Sequence, residues 1–139
     1  MPRRILVSFT ALVWLLAITE IVRAETLTIN VQGVPSAEGT VRIEILASEA
    51  SFKGEERAVA SIMQDAQPGT MSYSVTLPPG NYGARIMHDI NDNGELDANF
   101  VGIPSEPWGF SNNATGSFGP PKWKDVQFTV EGDAEQSIR

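Results

Sequence analysis

Residues 71–86 read MSYSVTLPPGNYGARI, and the fold is decided there. Met71, Tyr73, Val75 and Leu77 alternate with Ser72, Ser74 and Thr76, and the alternation resumes after a short break in Tyr82, Ala84 and Ile86. A period of two sends one set of side chains into a core and the other into water, which suits a half-buried strand and no helix. Between the two runs stands Pro78-Pro79-Gly80. Pro79 sets its own φ and Gly80 tolerates a positive one, so the spacing predicts a type II turn joining two antiparallel strands.

The same alternation extends outward in both directions. Leu27, Ile29 and Val31 alternate with Thr26, Thr28, Asn30 and Gln32, and Val41, Ile43 and Ile45 with Thr40, Arg42 and Glu44. Toward the C-terminus Val126, Phe128 and Val130 repeat it, with weaker runs at 58–64 and 136–138. Residues 48–57 allow one short helical turn, with Phe52 folded back onto the core. Turn-rich connections at 33–39 (GVPSAEG) and 67–69 (QPG) separate the runs. About seven short strands at this spacing predict an all-β fold, a single antiparallel β-sandwich of immunoglobulin-like or transthyretin-like kind. It would occupy residues 25–139, with one long loop near residues 89–121.

The first 24 residues read as an address rather than as structure. Arg3 and Arg4 precede an uncharged run from 5 to 18, and Val22-Arg23-Ala24 follows it. That is the layout of a secretory signal peptide cleaved after Ala24, and the run is too short to span a bilayer. The expected location is therefore periplasmic or secreted, with no membrane span after cleavage. Cleavage removes three arginines and one glutamate, moving the net charge from −7 to −9. So acidic a chain is a poor ligand for nucleic acid. The absence of Cys excludes disulfide frameworks, thiol catalysis and lipoprotein anchoring, and the single His leaves little material for a His-based active site.

What chemistry there is lies in the long loop, which opens with Asp89-Ile90-Asn91-Asp92-Asn93-Gly94-Glu95-Leu96-Asp97. Side-chain oxygens fall at relative positions 1, 3, 5 and 9, with Gly at 6. A Ca²⁺ loop needs this spacing, because alternate side chains converge on the ion while the Gly allows a sharp turn. Asp89, Asn91, Asn93 and Asp97 would supply side-chain oxygens and Glu95 its backbone carbonyl. Position 12 is Phe100 rather than a bidentate Glu, so calcium would bind weakly, on the order of 10⁻⁴ to 10⁻³ M. The same residues also fit an ion-free type I′ turn at Asn93-Gly94.

Further along, Phe100, Trp108, Phe110, Phe118 and Trp123 collect aromatic side chains in one region. Trp108, Phe110, Asn112 and Asn113 could stack on and hydrogen-bond a glycan or peptide ligand, or the aromatics could simply cap the sandwich. His88, beside Asp89 and in parity with Ile86, offers a possible hydrolase centre, but no nucleophile stands at motif spacing. The residues therefore favour a binding or structural module over an enzyme.

Several blocks also carry a resemblance. Residues 77–82 (LPPGNY), 88–97 (HDINDNGELD), 99–104 (NFVGIP), 108–113 (WGFSNN) and 118–121 (FGPP) resemble the bacterial family of domain of unknown function 2141. The likeness runs from about residue 27 to residue 138. It implies an exported, uncharacterised protein and assigns no activity. The turn at 78–82 is also similar to that of carboxypeptidase-regulatory and transthyretin-like sandwiches, a likeness of fold alone.

Overall fold

The computed structural model describes residues 23–139. The segment read as a signal peptide, residues 1–24, lies outside the described residues except for Arg23 and Ala24. Among the described residues eight strands form: β1 (Glu25–Val34), β2 (Thr40–Leu46), β3 (Ala60–Asp65), β4 (Gly69–Leu77), β5 (Gly80–Asp89), β6 (Trp108–Phe110), β7 (Phe128–Val130) and β8 (Ala134–Ile138). One sheet has the order β4-β1-β8, the other β3-β2-β5-β6 with β7 paired to the start of β5. Leu27, Ile29, Val41, Ile43, Ile45, Tyr73, Ala84, Ile86, Val130 and Ile138 meet in one core. All but Ile138 are positions that the period of two assigned to the interior, and the fold is an all-β sandwich.

Three expectations are corrected. The pairing is not wholly antiparallel, because β8 lies parallel to β1, from Leu27 beside Ala134 to Val31 beside Ile138. The chain passes from β7 in one sheet to β8 in the other, and that crossing sets β8 beside the first strand in the same direction. Second, Gly80 is not in the left-handed region, so Pro78-Pro79-Gly80 is not a type II turn. Gly80 already pairs with Val130 as the first residue of β5, and the Tyr82 hydroxyl donates to the Pro78 carbonyl at 2.8 Å to hold the corner. Third, Val126 belongs to a short helix, α2 (Trp123–Val126), and the last strand run begins at Phe128. A single helical turn buries Val126 against the outer face of the larger sheet, outside the core between the sheets.

The sheets differ on their outer faces. On the larger one, α1 (Glu49–Phe52) and α2 cover one end. Ser48 caps α1, its hydroxyl accepting from the Ser51 amide at 3.0 Å, and so aims Phe52 across the sheet. Phe52 meets Phe110 and Trp123 at ring-centre distances of 5.6 and 6.0 Å, so it packs on this outer face rather than in the main core. α2 can sit so low because Gly83 lies beneath it. A Cβ at that position would come within 2.7 Å of the Trp123 ring and 2.9 Å of Val126. The 89–106 loop covers the other end, and between them the face is open.

Candidate functional site

Two buried carboxylates organise the loop after β5. Asp89, the last residue of that strand, is fully buried. It accepts the Asn93 amide at 3.1 Å and the Gly94 amide at 2.8 Å, so the loop winds around it. Its other partner is Arg42 of β2, whose Nε stands 2.8 Å from Oδ2. That N–H is not aimed along the line to the oxygen, so the contact is an ion pair rather than a well-directed hydrogen bond. From the far side Glu106 accepts the Ile90 amide at 2.8 Å and the Asp97 amide at 3.0 Å, tying the loop's exit to its entrance. Gly39 completes the base. Its φ is +68°, and a Cβ there would overlap the Asp89 carbonyl at 2.0 Å.

This winding is not a type I′ turn. Positive φ occurs at Asp92 and Gly94 and not at Asn93, whereas a type I′ turn centred on Asn93-Gly94 needs both of its central residues there. Asp92 is held in that region with its carboxylate accepting the Thr40 hydroxyl at 2.8 Å. Of the residues predicted as calcium ligands, Asn91, Asn93 and Asp97 do come together. The Asn91 amide nitrogen donates to Asp97 at 2.6 Å, and that of Asn93 donates to both Asp97 oxygens at 3.1 Å. The Asn91 and Asn93 side-chain oxygens accept the backbone amides of Asn93 and Glu95. Asp89 sits beneath this group, joined to it through the backbone. Among the described residues, no group of three or more His, Cys, Asp or Glu side chains is placed to hold a metal ion. Any cation site here therefore has to add amide and backbone oxygens to its carboxylates.

Beyond Asp97 the chain makes a narrow hairpin, with Ala98 bridged to Pro104 and the Asn99 amide bonded to the Ile103 carbonyl at 2.8 Å. Phe100 at its tip is fully exposed, as is Phe118. The other aromatics behave differently. Trp108 packs edge-on to Phe110 at 5.5 Å, and with Phe52 and Trp123 they form a row across the outer face.

The four residues predicted to bind a ligand thus have separate places. Trp108 keeps 40% of its surface in solvent, while Phe110 is buried. The Asn112 amide donates to the carbonyls of Asp125, Val126 and Gln127 at 2.9–3.2 Å. Asn113 donates to the Ser137 carbonyl and accepts the Arg139 amide. These two side chains join the short 3₁₀ turn at Ser111–Asn113 to α2 and β8, and both hold positive φ. Beside them the buried Ser111 hydroxyl donates to the Val126 carbonyl at 2.5 Å and accepts the Ala84 amide at 2.9 Å.

His88 faces between the sheets at 3% exposure. Its Nε2 lies 2.6 Å from the Glu38 carbonyl, which makes Nε2 the protonated nitrogen, and Nδ1 is buried without a partner. The ring is in contact with backbone and core, away from solvent and from the Asp97 cluster.

The open part of the outer face is a cleft of about 540 Å³. Gly94 and Leu96 of the wound loop stand at one end, Trp108 and Phe110 form one wall, and Met63 of β3 the other. Pairing sets Met63 beside Arg42, Arg42 beside Met87 and Met87 beside Trp108, one row across four strands. The next row holds Glu44 and Arg85, whose guanidinium binds Glu44 through Nε and Nη2. The two segments that sequence reading treated as separate sites therefore border one cavity. Arg42, Met63 and Glu106 went unnoticed as site residues. The parity of Arg42 and Asp89 on neighbouring strands was the one available signal for a pair across the sheet.

The family model described as an uncharacterized protein conserved in bacteria (DUF2141) matches residues 29–139. The chain belongs to that family. No curated protein and no solved structure matches it.

Proposed function

For this DUF2141 family member, we propose an exported binding module that holds a glycan or peptide in the cleft over β3-β2-β5-β6. The observation that carries the reading is the meeting of the 89–97 loop with the exposed Trp108 ring across one cavity. Ligand sites are concave, mostly apolar and supplied with a few polar groups, and this cleft has aromatic and thioether walls over two arginines. Trp108 reports on its own occupancy. A panel of oligosaccharides and short peptides should include one that shifts the tryptophan emission, and Trp108→Ala should remove both the shift and the binding. A panel that leaves emission unchanged, with no binding by calorimetry, refutes the cleft as a ligand site. Export has its own test: mass spectrometry of protein recovered from a bacterial periplasm should find Glu25 at the N-terminus.

A second reading concerns calcium. What favours it is the approach of Asn91, Asn93 and Asp97 to within 3.1 Å of one another, at ligand spacing. With Ca²⁺ bound, the two amides would turn their oxygens inward, Asp97 and Asp89 would supply charge, and Glu95 its carbonyl. The present hydrogen bonds oppose that rearrangement, which agrees with weak affinity. An ion bound only by the folded state stabilises by mass action, by about 2.7 kcal/mol at a hundredfold excess over Kd. Thermal melts in millimolar CaCl₂ and in EDTA should differ, and the difference should vanish in Asp97→Ala. Identical melts would mean that the loop is closed by its own hydrogen bonds.

A further inference from the structure

Arg42 is poorly served by its neighbours. A guanidinium has five N–H donors in a planar fork suited to carboxylate, sulfate or phosphate oxygens. Arg85, one row away, has that partner, with two nitrogens on Glu44 and Nη1 3.5 Å from the Phe52 carbonyl. Arg42 instead meets Asp89 off-line through Nε and points Nη1 at the Met63 thioether, 2.9 Å from sulfur. Thioether sulfur is a weak acceptor. The side chain keeps 28% of its surface exposed and lines the cleft. Asp89 fixes the base of the guanidinium, and among the described residues no second anion reaches its outer edge.

We propose that Arg42 reads an acidic group on the ligand of this cleft, and that the ligand is an acidic glycan whose sugar ring rests on Trp108. The inference rests on the cleft reading above. Arg42 and Trp108 are two strands apart in one row, about 10 Å at the usual strand spacing. A short oligosaccharide spans that distance with one ring on the indole and a carboxylate on the guanidinium. A peptide is less well served. The cleft lies on the face of a sheet whose backbone groups are already paired, so it offers side chains and no strand edge along its floor. Leu96 and Met63 supply apolar edges for the sugar's C–H faces.

The test uses an oligogalacturonate and its methyl ester, which share size and linkage and differ in charge. The purified protein should bind the acid, and the ester should bind about tenfold more weakly or worse, the loss expected for one charge-assisted hydrogen-bonded pair. Met63→Glu would place a carboxylate opposite Arg42 on an exposed edge strand, without touching Asp89. It should abolish binding of the acid, and Met63→Gln, of the same size without the charge, should bind the acid at least tenfold more tightly than Met63→Glu does. Arg42→Lys keeps a cation beside Asp89 but loses the fork, and should lower affinity with little loss of stability. Equal binding of acid and ester, or full binding by Met63→Glu, overturns the role of Arg42. If Trp108→Ala still abolishes that binding, the cleft reading survives. Failure of the acid to bind at all overturns the acidic-glycan assignment, and the wider panel decides the cleft.

Discussion

The two outer faces of the sandwich are built from the same backbone pattern and serve different ends. On β4-β1-β8 the outward residues are short: Thr28, Asn30, Ser72, Ser74 and Thr76. Ser72 donates to Asn30 and Asn30 to Glu135 at 2.6 Å, and among the described residues no helix covers them. On β3-β2-β5-β6 the outward residues are long or aromatic: Arg42, Glu44, Arg85, Met87, Trp108 and Phe110. Short hydroxyl side chains leave a pleated surface flat and wet. Long ones raise walls, and helix α2 and the 89–106 loop close the ends. The candidate chemistry therefore lies on one side of the molecule, and the other side serves as its support.

The sharpest way to break this contrast is Asp89→Ala. It removes the carboxylate that holds Arg42 and accepts two loop amides. Removing one member of a buried ion pair costs about 3–5 kcal/mol, which denaturant unfolding would read directly. A loss under about 1 kcal/mol would mean that the loop stands without its anchor. Glu106→Ala should come next, at about 2–3 kcal/mol, because two backbone donors lose a charged acceptor. It should also open residues 90–105 to limited proteolysis. Glu106→Gln retains one acceptor oxygen and should recover about half of the loss.

The sandwich was legible because burial acts on alternate residues, and a period of two in Leu27–Ile29–Val31 or Val41–Ile43–Ile45 has no other economical reading. The turn chemistry was less legible. Gly80 was read for its freedom of φ, whereas Tyr82, two residues on, supplies the hydrogen bond that makes the corner. β6 is three residues long and exists through its pairing with β5, so no periodicity could announce it. Val126 mimicked a strand because it stands two residues before Phe128, whereas one helical turn buries it on the outer face of the larger sheet. Of the site, the spacing that brings Asn91, Asn93 and Asp97 together was readable. Glu106 was not, since nothing in Ser105-Glu106-Pro107 marks a carboxylate whose partners lie 9 and 16 residues earlier. Its role is fixed by proximity in space, which local sequence does not encode.

The smallest expected effect sharpens the comparison most. Thr28 sits mid-strand on the bare face, between Ser74 and Glu135. Truncating it removes little apolar contact and leaves no buried donor unpaired, so Thr28→Ala should change stability by less than about 0.5 kcal/mol, mainly through lost β-propensity. Emission from Trp108 and any ligand affinity measured in the cleft should not move at all, because the core of the sandwich lies between. A loss above about 1 kcal/mol would show this face to be stabilising in its own right. A change in cleft affinity would show that the two faces communicate through Leu27 and Ile29, and the division into support and site would have to be abandoned.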